Sequence, residues 1–183
     1  MAIPFPENLH GALVALRMFS AEDAPWIQMA CDRPEMARFI PVIPSPYTIA
    51  HAQAFVRYAQ DAWGQESSAP FAIETPDGQP LGAVEVQPEQ RDPKHAGIGY
   101  WLRPGARGRG VATEAVRLVS LWAFDALHVE RLSLTTHPEN KASQGVAERA
   151  GYKREGLLRD WEHTSTGRQD SVMFSLLPCD VSI

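Results

Sequence analysis

A stretch rich in glycine and arginine, Arg103 to Thr113 (RPGARGRGVAT), constrains the fold of this chain more than any other part of its sequence. It follows an apolar strand pattern and leads into an apolar helical pattern over Val111–Leu127. Glycine allows the backbone to adopt positive φ and to approach a ligand closely. The free N–H groups and the dipole of a helix N-terminus favour negative charge, and three arginines add positive charge nearby: Arg103, Arg107 and Arg109. The stretch therefore predicts a strand–loop–helix unit that binds phosphate.

Two common phosphate-binding patterns fit this loop poorly. The P-loop pattern requires Gly-Lys-Ser/Thr after four residues, and the loop lacks it. A dinucleotide fingerprint would read Gly108-x-Gly110-x-x-Gly, but Thr113 stands at the third glycine position. That fingerprint also belongs on the first strand of a βαβ unit, whereas this loop lies past the midpoint of the chain. A nucleotide-dependent enzyme of the Rossmann type is therefore the weaker alternative.

The remaining periodic segments predict an α/β (α+β) chain in which strands outnumber helices. Seven strands are predicted, over Gly11–Phe19, Pro70–Glu74, Leu81–Gln87, Gly97–Leu102, Arg131–Thr136, Tyr152–His163 and Gln169–Leu177. Four helices are predicted: a short one from Ser20 toward Met29, then Ile49–Trp63, Val111–Leu127 and Lys141–Ala150. The proline-rich segment Cys31–Tyr47 should be irregular or a broken helix, and Ser165-Thr166-Gly167 should form a turn. Because tight turns join several neighbouring strands, we expect a mixed central sheet of about seven strands with helices on both faces.

Composition narrows the class of protein. The length predicts one domain over residues 1–183. A net charge of −5 argues against a nucleic-acid partner and mildly favours a cationic or amine-bearing substrate. The two cysteines have no partners at metal-ligand spacing, so no metal is expected and a reduced protein is the simpler interpretation. Without a signal-peptide pattern or a membrane-spanning apolar run, the chain is expected to be cytoplasmic and to have no membrane partner.

Motifs on both sides of the loop occur in a fixed order. They are Gly99-Tyr100-Trp101-Leu102, Arg107-Gly108-Arg109-Gly110-Val111-Ala112, Ala112-Thr113-Glu114-Ala115, Asn140-Lys141-Ala142-Ser143, Glu148-Arg149-Ala150-Gly151-Tyr152 and Glu155-Gly156. This set resembles the GNAT superfamily of N-acetyltransferases, and within it the ribosomal-protein serine/alanine (RimJ/RimL-like) branch. The resemblance covers about Leu81 to Asp160. It implies a single GNAT domain with splayed strands around a coenzyme A site, and transfer of an acetyl group from acetyl-CoA to an amine without a metal.

The resemblance also implies which residues bind the cofactor. Backbone N–H groups of the loop would hold the pyrophosphate, from Arg107, Gly108, Arg109, Gly110, Val111 and Ala112, and the Thr113 hydroxyl would join them. The strand residues Tyr100, Trp101 and Leu102 would lie beside the thioester. The Asn140 amide would bind the pantetheine arm, although an asparagine before a helix also serves as an N-cap.

Two residues are the candidates for catalysis. Many GNAT enzymes place a tyrosine four residues before the glycine at Gly151, to protonate the leaving thiolate, but this chain has Ala147 there. Ser143 lies one helical turn earlier on the same face and is the candidate donor; the alternative is a first-turn serine that bonds only to backbone. Glu85 lies on a strand where the family often places its general base. The alternative for Glu85 is an edge residue that faces solvent.

The acceptor pocket is the least determined part of the resemblance. Phe39 and Tyr47 in the proline-rich segment would build one wall, and Trp161 and Glu162 on the last hairpin the other. The partner is expected to be an amine-bearing acceptor, either a protein N-terminus or a small molecule, and a homodimer stays open. The functional alternative is a non-catalytic acyl-CoA sensor that has the same loop and no working base.

Overall fold

One sheet organises the part of the chain that this computed structural model describes, which is Ile3, Pro6, residues 9–164 and residues 167–181. Its eight described strands are β1 (Leu9–His10), β2 (Ala15–Arg17), β3 (Ala69–Glu74), β4 (Pro80–Glu89), β5 (Asp92–Leu102), β6 (Arg131–Thr136), β7 (Lys153–Thr164) and β8 (Gly167–Leu176). They lie in the order β1-β2-β3-β4-β5-β6-β8-β7. The β5–β6 pair is parallel and the other pairs are antiparallel. The expected mixed sheet is confirmed, with eight strands where about seven were predicted.

Five α-helices connect the strands within the described ranges. They are α1 (Ala24–Cys31), α2 (Pro34–Phe39), α3 (Ile49–Gly64), α4 (Val111–Ala126) and α5 (Lys141–Arg149). Side chains define several of their ends: Thr48 caps α3 by accepting the His51 N–H, and Gly151 follows α5 with a φ of 97°, a conformation that glycine adopts at little cost. Helices α3, α4 and α5 match the predicted segments to within one residue, whereas α1 begins at Ala24, after a 3₁₀ turn at Ala21–Asp23, and not directly after Ser20.

The helices cover both faces of the sheet, because strand residues alternate between two cores. On β3, Phe71 and Ile73 point into the larger core, which contains the buried face of α4. Ala72 points the other way, into a smaller core with residues of α1 and α3. The larger core extends from Val14 to Leu176 and holds the sheet against α4.

The segment predicted as a single strand over Gly11–Phe19 is a strand only at β2. The backbone N–H groups of Ala12, Leu13 and Val14 donate to the carboxylate of Glu114, at 3.0, 2.7 and 3.0 Å respectively. Because these groups bind a side chain of α4, they are not available to a strand ladder. The prediction was wrong because the competing acceptor lies 100 residues further along the chain.

Smaller differences concern loops and strand ends. The segment Cys31–Tyr47, predicted to be irregular or broken helix, contains α2, in which Pro34 stands at the first helical position. Strand β5 begins five residues earlier than predicted and forms a hairpin with β4. Ser165 and Thr166 of the predicted turn lie outside the described residues. No helix in the described ranges is both long enough and apolar enough to cross a membrane.

Strands β5 and β6 pair at one end and separate at the other. They are in register over His95–Gly97 and Arg131–Ser133, whereas β5 continues to Leu102 and β6 to Thr136. The splayed strands predicted from the family resemblance are thus confirmed, and the opening lies between the glycine loop and the start of α5.

Candidate active site

A cleft of about 1650 Å³ opens where β5 and β6 separate. It brings together residues from α2, the exposed face of β4 and β5, the glycine loop, and the first turn of α5. All the predicted site residues line it except one: Phe39, Tyr47, Glu85, Tyr100, Trp101, Leu102, Arg107, Gly108, Gly110, Val111, Ala112, Thr113, Asn140, Ser143, Trp161 and Glu162. The exception is Arg109, which is exposed to solvent outside the lining.

The glycine loop, Arg103–Gly110, has the backbone geometry that its sequence predicts. After a short 3₁₀ turn at Pro104–Ala106, Gly108 and Gly110 adopt left-handed φ values of 73° and 84°. A Cβ at Gly110 would lie 3.3 Å from the Leu13 side chain. Both this close contact and the positive φ disfavour a side chain at this position. Gly110 begins α4 without a side-chain cap, so the N–H groups of the first turn are left to a ligand.

The first turn of α4 also contains a buried hydroxyl without a partner. Thr113 is only 8 % exposed, and its Oγ1 has no hydrogen-bond partner among the described residues. Burying such a group unpaired costs about 1–3 kcal/mol. An anion bound beside this turn could accept its hydrogen bond, so the position fits the phosphate groups of coenzyme A.

The Arg107 side chain turns away from the loop and toward α2. Its Nε donates to the Leu102 carbonyl at 3.1 Å, and its guanidinium lies 3.7 Å from the Glu35 carboxylate. On the opposite side of the cleft, Arg38 of α2 forms an ion pair of 2.6 Å with Glu139. Helix α2 is therefore tied to both sides of the cleft.

The start of α5 presents Ser143 to the cleft. Asn140 caps the helix by accepting the Ser143 N–H at 3.1 Å, so the N-cap interpretation is correct, and Asn140 lines the cleft as well. The Tyr100 hydroxyl donates to Ser143 Oγ at 2.8 Å. Burial raises the pKa of Tyr100 to about 12. The sequence analysis placed Tyr100 beside the thioester but missed this contact, which joins residues 43 positions apart.

Glu85 lies on an interior strand and is held in a defined orientation. Its Oε1 accepts from the Tyr58 hydroxyl at 2.5 Å and from the Ser68 hydroxyl at 2.6 Å. Its Oε2 accepts from the Gln87 amide at 3.0 Å. Since β4 lies between β3 and β5, the alternative of an edge residue is wrong. The half-buried carboxylate faces the cleft, opposite to the buried Val84 and Val86, as the alternation predicted.

Tyr58 is the residue that sequence reasoning missed beside Glu85. Burial raises its pKa, and its hydrogen bond to the Glu85 carboxylate acts in the same direction. The phenol therefore stays protonated and donates to the carboxylate at neutral pH. Its position on α3, with apolar neighbours at helical spacing, gave only the signal of a packing residue.

Aromatic side chains form one wall of the cleft. The Trp101 ring lies 5.7 Å from Trp26 and 6.5 Å from Phe55. Tyr47 is buried, and burial raises its pKa. Phe39, at the end of α2, lies 5.8 Å from the His137 ring. Phe39 and Tyr47 both line the cleft, and their contact with an acceptor stays a prediction.

Trp161 and Glu162 form the far end of the cleft, on β7. Trp161 is 54 % exposed and also lines a second cavity of about 520 Å³, together with residues of the β4–β5 hairpin such as Glu89 and Arg91. The cleft therefore runs from the glycine loop, past Glu85, to a partly open end. In the described part of the chain no group of three or more His, Cys, Asp or Glu side chains could hold a metal ion.

Comparison with known proteins identifies the family. A model of the acetyltransferase (GNAT) domain matches residues 14–153. The chain is 28% identical over 174 residues to the uncharacterized N-acetyltransferase p20 of Bacillus licheniformis, across 93% of this chain and 96% of that protein. The chain therefore belongs to the GNAT acetyltransferase family.

Two solved structures share the fold. RimJ of Mycobacterium smegmatis, in complex with a CoA-disulfide, has a TM-score of 0.83 at 22% identity, across 93% of this chain and 84% of that one. RimL, a ribosomal L7/L12 alpha-N-protein acetyltransferase in complex with coenzyme A, has a TM-score of 0.83 at 16% identity, across 93% and 98%. The predicted family and fold are confirmed. The mostly antiparallel sheet shows that the Rossmann alternative was wrong.

Proposed function

We propose that this chain moves an acetyl group from acetyl-CoA to a primary amine by direct attack of the amine on the thioester. The observation that carries the proposal is a single cleft lined by the glycine loop, Ser143 and Glu85. A site that only bound acetyl-CoA would need the glycine loop and neither of the other two residues. The oriented carboxylate at Glu85 gives the same cleft a group that accepts protons.

The glycine loop and the first turns of α4 and α5 are proposed to bind coenzyme A. Backbone N–H groups from Arg107 to Ala112 would bind the pyrophosphate, and the Thr113 hydroxyl, which has no hydrogen-bond partner among the described residues, would join them. The Asn140 side chain and the edge of β5 from Tyr100 to Leu102 line the opening between the strands, where the pantetheine arm would extend. Unpaired N–H groups along that edge would bind the thioester oxygen as it gains charge.

Glu85 is proposed to act as the general base. A free amine with a pKa of about 8 or above is mostly protonated at pH 7, so it must lose a proton before or during attack. The carboxylate can accept that proton directly or through a water, a contribution of roughly 10²–10⁴-fold in rate. Three donated hydrogen bonds fix its orientation toward the cleft.

Ser143 is proposed to donate to the sulfur when the carbon–sulfur bond breaks. Its backbone position is the third residue of α5, where the helix dipole favours the negative charge of a thiolate. The sulfur takes the electron pair of the broken bond, and the hydroxyl of Ser143 supplies a hydrogen bond to it. The ammonium form of the amine loses two protons in all. Glu85 takes one of them and passes it to solvent, and the other leaves the nitrogen as the tetrahedral intermediate collapses and reaches the thiolate through solvent to give the CoA thiol.

The acceptor is proposed to enter past Trp161 and Glu162 toward Glu85. Protein N-termini and small-molecule amines both meet the chemical requirement, and the name of RimL, which refers to the N-terminus of a ribosomal protein, supports the first. A cytoplasmic location and a single domain over residues 1–183 stay predictions. A homodimer stays open.

A screen of amine acceptors with a thiol-release assay tests the proposed function. Peptides with different N-terminal residues, polyamines and amino acids would be compared at one acetyl-CoA concentration. We expect thiol release above background for at least one class, together with thermal stabilisation by acetyl-CoA and not by NAD, about 2.7 kcal/mol at 100-fold the Kd. Absence of stabilisation by any CoA ester would contradict the proposal. Stabilisation with thiol release that is the same in wild type, Glu85→Gln and Ser143→Ala would favour a sensor.

A further inference from the structure

A tyrosine and a serine from distant elements meet at the base of the cleft. Tyr100 lies on β5 and Ser143 lies at the third position of α5, and their hydroxyls are 2.8 Å apart with Tyr100 as donor. Both residues line the cleft. The family pattern would place a tyrosine at residue 147 instead, where this chain has a fully buried alanine. The phenol nearest to Ser143 therefore comes from the sheet.

The direction of this hydrogen bond determines what Ser143 can do. A hydroxyl carries one donor and two acceptor positions. Tyr100 occupies one acceptor position of Ser143 Oγ, and the Ser143 hydrogen has no acceptor among the described residues. The Ser143 hydroxyl is thus left to donate into the cleft. Burial keeps Tyr100 protonated, because it raises the pKa of this phenol to about 12.

A donated hydrogen bond also strengthens the next one in a chain. When Tyr100 donates to Ser143, the Ser143 oxygen gives up electron density and its own hydrogen becomes a better donor, by about 10–30% per bond. The α5 N-terminus acts on the same point, since Asn140 caps it and Ser143 stands in its first turn. Both effects favour negative charge on an atom placed next to Ser143.

We propose that Tyr100 is a positioning residue, which acts through Ser143 to stabilise the thiolate that leaves when the carbon–sulfur bond breaks. This inference rests on the proposed function. The amine nitrogen forms the new bond to carbon, the electron pair of the broken bond goes to sulfur, and Ser143 donates its hydrogen bond there. Tyr100 remains protonated throughout and fixes the orientation of the Ser143 hydroxyl.

The test is a double-mutant cycle with Tyr100→Phe and Ser143→Ala. Tyr100→Phe removes one oxygen from a partly buried ring, and the Ser143 that it leaves behind is also only half-buried beside the cleft, so folding should be retained. We expect Tyr100→Phe to lower kcat about fivefold to tenfold, since a neutral hydrogen bond contributes about 1 kcal/mol, with the KM for acetyl-CoA unchanged within about twofold. In the Ser143→Ala background, Tyr100→Phe should have no further effect.

The chain supplies a matched control in Tyr152. The hydroxyl of this tyrosine also lies 2.8 Å from that of a serine, Ser120, but the pair is buried and neither residue lines the cleft. Tyr152→Phe should change thermal stability at least as much as Tyr100→Phe and leave kcat unchanged. A loss of kcat of the same size in both variants would mean that the effect is structural, and would overturn the proposal.

The ionisation of bound CoA gives a measurement that does not depend on turnover. The thiol of CoA labelled with carbon-13 beside the sulfur can be titrated by NMR on the folded protein. Its pKa should rise in Tyr100→Phe, by less than it rises in Ser143→Ala, and stay at the wild-type value in Tyr152→Phe. A wild-type value in Tyr100→Phe, or a kcat loss that adds fully to that of Ser143→Ala, would overturn the proposal. If no amine is acetylated by the wild type, the proposed function fails while this titration still tests the Tyr100–Ser143 pair.

Discussion

The two halves of the cleft are built in different ways. The half proposed to bind coenzyme A, called the donor half, consists of the glycine loop and the first turns of α4 and α5, and most of its groups come from two short stretches, 103–113 and 140–143. The half proposed to bind the amine, called the acceptor half, consists of Glu85 with its hydrogen-bond donors, α2, and the Trp161–Glu162 segment. Its members are drawn from positions 34 to 162. A ligand held by local backbone geometry can be recognised from a motif, whereas one held by side chains from distant segments cannot.

The two halves also differ in the kind of group that forms them, backbone in one and side chain in the other. The donor half depends on backbone groups, such as the N–H groups at the start of α4 and the left-handed glycines. The acceptor half depends on side-chain hydrogen bonds such as Tyr58 to Glu85, across 27 residues. Substitutions should therefore affect cofactor binding in the first half and turnover or acceptor affinity in the second.

The largest effect is expected from Glu85→Gln, in the acceptor half. The amide cannot accept the amine proton, so kcat should fall by roughly 10²–10⁴-fold, while the Kd of acetyl-CoA stays near the wild-type value. Steady-state kinetics with isothermal titration would measure both. Glu22→Gln, at an exposed position that lines neither cavity, is the control and should keep most activity. A large rise in the Kd of acetyl-CoA for Glu85→Gln would show that the halves are not separate.

The next largest effect is expected from Glu114→Gln, which weakens a contact that supports the glycine loop of the donor half. This side chain accepts three backbone N–H groups from Ala12 to Val14, and Leu13 lies against Gly110. Hydrogen bonds to a charged group contribute about 1.5–3 kcal/mol, so the free energy of unfolding should drop by about 2 kcal/mol and CoA affinity should weaken.

Urea denaturation and CoA titration measure the effects of Glu114→Gln. The exposed Glu148 on α5 provides the control substitution, Glu148→Gln. If Glu114→Gln matches that control in both stability and CoA affinity, the loop does not depend on this contact.

Thr113→Val is expected to have two smaller effects of opposite sign, one on stability and one on CoA affinity. Valine replaces the buried unpaired hydroxyl with a methyl group, so the protein without ligand should become more stable by about 1 kcal/mol. The same change removes a donor to the pyrophosphate and should weaken CoA binding by about fivefold. Thermal melts with and without CoA would show both. Thr113→Ser retains the hydroxyl and should leave the affinity unchanged; a weaker affinity in the serine variant would contradict the assignment.

The smallest effect is expected from Trp161→Ala, at the open end of the acceptor half. Half of this ring is exposed, so its contact with an acceptor should be worth about 0.5–1 kcal/mol, or a KM increase of roughly threefold. The KM for acetyl-CoA should not change. Leu157→Ala removes a similarly exposed side chain on β7 outside both cavities and serves as the control. Equal changes in the acceptor KM for both variants would show that Trp161 does not contact the acceptor.

Local patterns explain what the sequence could predict. Strand β6 was predicted with both of its ends, and α4 and α5 to within one residue, because periodicity, glycine positions and caps are encoded by neighbours in the chain. The glycine loop was predicted for the same reason, and two of its three glycines, Gly108 and Gly110, adopt positive φ.

Long-range contacts explain what it could not. The strand predicted over Gly11–Phe19 was wrong since its N–H groups bind Glu114. Tyr58 looked like a packing residue, and Tyr100 was predicted beside the thioester without its contact to Ser143, because the partners Glu85 and Ser143 are 27 and 43 residues away. The proposed acceptor pocket is formed by residues that are distant in the chain. The sequence therefore predicted residues that line it but not the hydrogen bonds that orient them.

The central claim is that one cleft joins the two halves so that the acetyl group passes directly from sulfur to the amine. The most direct measurement is a single turnover with acetyl-CoA labelled in the acetyl group, at an enzyme concentration above that of the donor, analysed by mass spectrometry. The predicted result is one labelled acetyl-amine for each thiol released, with no label on the protein at any time. Thiol release without acetylated amine, or labelled protein that forms and decays before product appears, would contradict it.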